Sequence, residues 1–243
     1  MEGGDCPVRR WEDLDSDILV KILQSFDPFE LTSGLGQVCL CVANCLNLSC
    51  GNILTLIFHY NLYVSDNQLT YTAERCRRLK RLVMPAWNRI NEIAICRAIR
   101  LWEDLESLTM PNIEDDLPYV MEEIGRSCKN FAELKIMGPC DMVFSSTLVA
   151  FLPNLKVVSV RCTVLSKPAL VIILEGLNFL EVLNLSHCLI TEDPPPAPTK
   201  ILTKLDDSIL EKASRLREFI TCMSDSCIMC QRTRDDEGRA QVV

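Results

Sequence analysis

Three cysteines in "TCMSDSCIMCQR", Cys222, Cys227 and Cys230, have the residue types for metal or redox chemistry. A C-x-x-C pair can hold one zinc ion or cycle as a disulfide. Tetrahedral zinc takes four ligands, and the sequence offers no fourth near these three. The expectation is no metal site, with the thiols lining a terminal cap. The chain has only two histidines, His59 and His187. A catalytic triad or a zinc hydrolase would have to use one of them. Both read as ordinary surface or edge histidines, His187 in a strand-to-loop turn before Cys188. No G-x-G-x-x-G, phosphate-loop or H-E-x-x-H pattern occurs, so no cofactor is expected. The remaining candidates are cations. Most of "ERCRRLKR" reads as a solvated edge, but Arg81, Lys135 and Arg161 fall at positions that only a repeating scaffold can interpret.

That scaffold is written in leucines. "LKRLVM", "LESLTM", "FAELKI", "LKVVSV" and "LEVLNL" share the form L-x-x-L-x-L, with middle anchors Leu82, Leu108, Leu134, Val158 and Leu183. The spacings are 26, 26, 24 and 25, and one step back from Leu82 reaches Leu56 in "ILTLIF". Six copies at this period are the pattern of leucine-rich repeats, with one short strand and one helix per unit. A strand alternates faces, so the anchors point inward together and their neighbours outward. Parallel stacking of the units then buries a core that no unit can bury alone. The fold class expected is α/β, a solenoid with parallel strands on the concave side and helices on the convex side. Helical stripes include Leu69 and Ala73, then Ile93, Ile95, Ala98 and Ile99. A third runs through Leu117, Val120, Met121 and Ile124. Ser166 caps a fourth, with Pro168 tolerated in its first turn. "LDDSILEKASRLREFI" carries Leu205, Ile209, Leu210, Ala213 and Leu216, and "LREFIT" opens a seventh, terminal unit. Cys188 stands where a unit usually ends and has a structural role, Cys140 and Cys162 lying one residue to either side of it in their units. Pro194, Pro195 and Pro196 make a stiff surface loop, and the tail from residue 231 reads as polar and mobile.

The same alternation assigns the concave surface. Arg81, Val83, Ser107, Thr109, Glu133, Lys135, Val157, Ser159, Arg161, Val182 and Asn184 face outward and make a surface for a protein or peptide partner rather than a small-molecule pocket. Arg81, Lys135 and Arg161 are expected to pair with acidic or phosphorylated groups on it.

The bulk numbers agree. The chain has 243 residues, 48 % hydrophobic, with net charge −8 and pI about 4.9. A core is affordable, and an acidic chain is ill suited to nucleic acid or an anionic membrane. The longest apolar runs are about half of a membrane span, and the N-terminus lacks the apolar core of a signal peptide. A soluble intracellular protein with reduced thiols follows.

The front of the chain is different. "RRWEDLDSDILVKILQSFDPFELTSGLGQVCL" holds two short helices, one with Ile18, Leu19, Ile22, Leu23 and Phe26 on a single face, the next with Leu31, Leu35 and Val38. Helices this short must pack on something else. The pattern W-x-x-L-x-x-D-I-L-x-x-I-L…F-x-x-x-E-L…V-C resembles an F-box. With the repeats behind it, the chain resembles plant-type F-box/leucine-rich-repeat proteins over roughly residues 9 to 230. The resemblance implies a non-catalytic substrate-recognition subunit of an SCF-type cullin–RING ubiquitin ligase. Its F-box would bind the adaptor, and through it cullin, while its repeats bind the protein to be ubiquitinated, in cytoplasm or nucleus. Carried over by position, the adaptor contacts are Trp11, Leu14, Ile18, Leu19, Ile22, Leu23, Leu31 and Val38. The domains expected are a disordered 1–8, an F-box over 9–40 with an incomplete third helix, a shortened junction over 41–50, repeats over 51–230 and a polar tail over 231–243.

One departure stands out. The family pattern has a tryptophan-bearing helix past "VC" and another tryptophan before the first strand. Here no tryptophan lies between Trp11 and Trp87, and 13 residues separate Cys39 from Ile53. An internal deletion or alternative splicing would leave such a junction. Asp15 also stands where the family usually has proline. The expectation is that the module binds its adaptor weakly or not at all. A repeat-only scaffold with a non-functional F-box is therefore the second reading, and a thiol-dependent enzyme using Cys227 and Cys230 the third.

Overall fold

In this computed structural model the chain divides after Cys50 into two units. Residues 51–58, 63–84, 88–111, 117–192, 200–224 and 226–240 are described. The adaptor-contact residues, Trp11 to Val38, lie outside them, as do His59 and the three prolines.

The second unit repeats one motif. Strands β1 (Thr55–Ile57), β3 (Arg81–Val83), β5 (Ser107–Pro111), β6 (Glu133–Met137), β7 (Val157–Val160), β9 (Val182–Leu185) and β11 (Glu218–Thr221) form a parallel seven-stranded sheet in that order. Between them run α1 (Asp66–Arg75), α2 (Glu92–Leu101), α3 (Leu117–Ser127), α4 (Met142–Phe151), α5 (Lys167–Gly176) and α6 (Asp207–Ala213), each packed on the next. This is a leucine-rich-repeat solenoid. The middle anchors pair directly: Leu56 opposite Leu82, then Leu108, Leu134, Val158, Leu183 and Phe219. The repeat period is thus the register of the sheet. From Leu82 to Leu183 the anchors are buried, each contributing about 1.5–3 kcal/mol relative to exposure.

Helix-to-strand turns repeat as faithfully. The carbonyls of Cys76, Trp102, Cys128, Leu152 and Leu177 accept the N–H groups of Leu79, Leu105, Phe131, Leu155 and Leu180, three residues on. All ten residues are buried, so these bonds satisfy backbone that water cannot reach. The helices begin on side-chain caps: Ser65, Asn91, Asp141, Ser166 and Asp206 each accept an N–H of the first turn. The carboxylate of Asp66 also takes the backbone and side-chain N–H of Asn91, tying one unit's helix start to the next.

Four expectations need correction. Ile93 is 69 % exposed, because the face that α2 buries runs through Ala94, Ile95, Ala98 and Ile99. Leu210 is likewise exposed, at the edge of the face of α6 that Ile209 and Ala213 bury. The polar tail is not loose: residues from Ile228 form α7 (Ile228–Ala240), with Cys230 and Thr233 buried on one face. Its polar composition hid a helix whose few inward residues recur one turn apart. Finally, β2 (Val64–Ser65) pairs with β4 (Asn88–Arg89), and β8 (Val164–Ser166) with β10 (Leu189–Thr191), in two further parallel ribbons too short to register as a period.

Candidate partner-binding surface

The outward residues of the seven strands form two straight rows. One runs Thr55, Arg81, Ser107, Glu133, Val157, Val182, Glu218, the other Ile57, Val83, Thr109, Lys135, Ser159, Asn184, Ile220. Ten of the eleven residues expected on this face lie in these rows; Arg161 lies just beyond β7 and is exposed. The second row is polar in the middle and apolar at its ends, where Ile57 is 65 % and Ile220 38 % exposed, while the first ends on Thr55 and Glu218. A surface of this make-up suits a folded partner or peptide.

The side chains are not equally available. Ser107 and Ser159 are buried, because larger neighbours in their rows cover small hydroxyls. Lys135 is engaged within its own strand: its Nζ lies 2.5 Å from Glu133 Oε1. Partial burial pushes the Glu133 carboxyl up, but Lys135 and, more weakly, Arg81 outweigh it and hold the group below its ordinary value. Asn184 is held in place too, its Oδ1 accepting from the backbone N–H and hydroxyl of Ser186. Arg81 and Arg161 are exposed and make no ion pair among the described residues. Of the three cations expected to meet an acidic partner, these two are not held in a salt bridge.

No family model matches the chain. An F-box/LRR-repeat protein of Arabidopsis thaliana is 47 % identical over 279 positions, covering 95 % of this chain and 90 % of the relative. The chain belongs to the F-box/LRR-repeat proteins. Two further Arabidopsis thaliana relatives carry related names. One, named for an F-box, is 30 % identical over 89 % of the chain and 65 % of its own length. The other, named for an F-box with leucine-rich repeats, is 25 % identical over 77 % and 72 %.

In this F-box/LRR-repeat chain most described cysteines behave as core atoms. Burial pushes the thiols of Cys128, Cys140 and Cys188 up to about 12 and that of Cys76 to about 11. Cys188 Sγ donates to the carbonyl of Val160 at 3.0 Å, and Cys128 Sγ to that of Trp102 at 3.3 Å, stitching adjacent units together. No described cysteine is in a disulfide. The terminal three behave otherwise. Cys222, Cys227 and Cys230 converge on His187, the fourth group that the sequence did not place beside them; all four ligand atoms lie within 4.8 Å of one another. Stacking of the last two units supplies it: the turn after β9 meets the turn after β11. No signal in the spacing could reveal this, because His187 stands 40 residues from Cys227.

Proposed function

We propose that this protein is a non-catalytic substrate-recognition subunit of an SCF-type cullin–RING ubiquitin ligase, acting in cytoplasm or nucleus. Residues 9–40 dock on the adaptor through the apolar positions Trp11 to Val38. The concave rows of the solenoid bind the protein to be ubiquitinated, with Arg81 and Arg161 meeting its acidic or phosphorylated groups. The observation that carries this reading is the open, two-row sheet face on a chain of the F-box/LRR-repeat family. All the chemistry of ubiquitin transfer is then left to other subunits. No described helix is long and apolar enough to cross a membrane.

A second reading has its own support. The match to the 47 % identical relative runs over 279 positions, more than this chain's 243 residues, so the relative carries residues with no counterpart here. We place that gap at the junction over 41–50, where the family's tryptophans are missing. The F-box is then incomplete and the solenoid is a protein-binding scaffold without a ligase. Affinity purification of the tagged full chain from plant cells separates the two. Adaptor and cullin at levels matching the longer relative establish the receptor. Target proteins recovered with no adaptor establish the scaffold.

A further inference from the structure

We propose that His187, Cys222, Cys227 and Cys230 form a structural zinc site that fastens the C-terminal helix to the end of the solenoid. The inference stands independently of ligase recruitment.

Three segments build the cluster. Cys222 follows β11, Cys227 immediately precedes α7 and Cys230 lies in its first turn. His187 comes from the turn between β9 and β10, where it adopts a left-handed φ of 64°. The corresponding turn of the preceding unit does the same at Cys162, φ 54°. The left-handed turn is thus a property of the repeat. What distinguishes the last unit is a ligand side chain there and a C-x-x-C helix start laid over it.

The distances suit one ion. His187 Nδ1 lies 3.5 Å from Cys227 Sγ and 3.5 Å from Cys230 Sγ, and Cys230 Sγ lies 3.6 Å from Cys222 Sγ. Zinc bonds of about 2.3 Å to sulfur and about 2.0–2.1 Å to nitrogen at tetrahedral angles put sulfurs about 3.8 Å apart and sulfur about 3.6 Å from nitrogen. A disulfide would bring two sulfurs to about 2.05 Å and leave a third thiol and the imidazole without a role. Binding Zn2+ to one neutral imidazole and three thiols releases three protons and leaves one net negative charge. Arg234, one turn beyond Cys230, lines the same cavity as Cys222 and Cys230. Four protein ligands fill the coordination shell, so the site is structural rather than catalytic.

Energetics give the site its purpose. Along α7, Ile228 and Met229 are exposed, while Cys230 and Thr233 are buried. Among the described side chains of this 13-residue helix, so little apolar burial does not hold it in place by itself. A solenoid also needs its last apolar face covered, and structural zinc supplies folding energy directly.

The test uses the full chain purified under reducing conditions without added chelator, with metal measured by elemental analysis. The expected result is about one zinc per chain, with Cys222, Cys227 and Cys230 protected from alkylation until a chelator is added. Cobalt substitution should then give the absorption of a tetrahedral thiolate site. Cys227→Ser, at a half-exposed position, should lose the zinc and expose the start of α7 to protease while the repeats stay folded. His187→Ala provides the same reading should Cys227→Ser not fold. A folded wild-type chain without zinc overturns the proposal. So does zinc that survives both substitutions, or a Cys222–Cys230 disulfide found by mass under non-reducing conditions.

Discussion

Arg100 on α2 grips Glu123 on α3 with two donors, Nε at 2.9 Å and Nη2 at 2.7 Å from the same carboxylate oxygen. Ser127 Oγ donates to the other oxygen at 2.9 Å. The glutamate side chain is only 5 % exposed. Arg100 holds its carboxyl below the ordinary range although burial pushes the other way. A carboxyl with a depressed folded pKa stabilises the protein above its unfolded value of about 4.3, and that stability is lost as pH falls through the folded value. Glu123→Gln should cost about 1–2 kcal/mol at pH 7, with the gap to wild type closing as the medium becomes more acidic than pH 4. Urea midpoints at the two pH values read this out; equal midpoints at pH 7 would refute it.

Gly125→Ala and Gly176→Ala should part company. A Cβ at Gly125 would sit 2.3 Å from the carbonyl oxygen of Phe151, which is backbone. At Gly176 the nearest atoms, at 2.5 Å, belong to the Val149 side chain, which can turn aside. Alanine gains up to about 1 kcal/mol of helix propensity at an interior site, while overpacking costs about 1–3 kcal/mol. Gly125→Ala should therefore destabilise the chain clearly, and Gly176→Ala much less. Thermal melts that rank them the other way would show that α3 and α4 can slide apart.

Charge reversal on the concave rows should separate binding from folding. Arg81→Glu and Arg161→Glu should each leave the unfolding free energy within about 0.5 kcal/mol of wild type and reduce partner capture about tenfold or more. Lys135→Glu should weaken capture less, since Glu133 already neutralises that lysine. Lys129→Glu, at an exposed position outside the strands, is the control. Quantitative mass spectrometry of captured proteins measures all four, and equal capture by the Arg81 and Arg161 variants would remove the acidic-partner idea.

Cysteine labelling should follow burial. At pH 8 a thiol pushed up to about 12 is ionised in about one molecule in ten thousand. Cys128, Cys140 and Cys188 should thus resist alkylation until the chain unfolds, whereas exposed Cys162 reacts first. Mass spectrometry of a timed alkylation gives the order. Early labelling of Cys188 would mean that its bond to Val160 opens readily.

The architecture was legible because it depends on repetition. A leucine recurring every 24 to 26 residues can be buried only if each copy lies beside the next, so period became register and alternation decided which side chains face out. Single departures from the pattern were not legible. Ile93 looks apolar in one dimension, yet its angle around α2 sends it to solvent. Lys135 looks like a free cation, but period-two alternation also brings Glu133 beside it.

The solenoid and the two rows of the concave sheet could be read before any coordinates, since they follow from local chemistry repeated at a constant interval, and the family from a resemblance carried by residues 9–40 in front of those repeats. That His187 joins Cys222, Cys227 and Cys230, and that a polar tail is a docked helix, emerged with the folded chain alone. Both depend on how the last two units stack, a contact between distant residues that occurs once and therefore leaves no period to read.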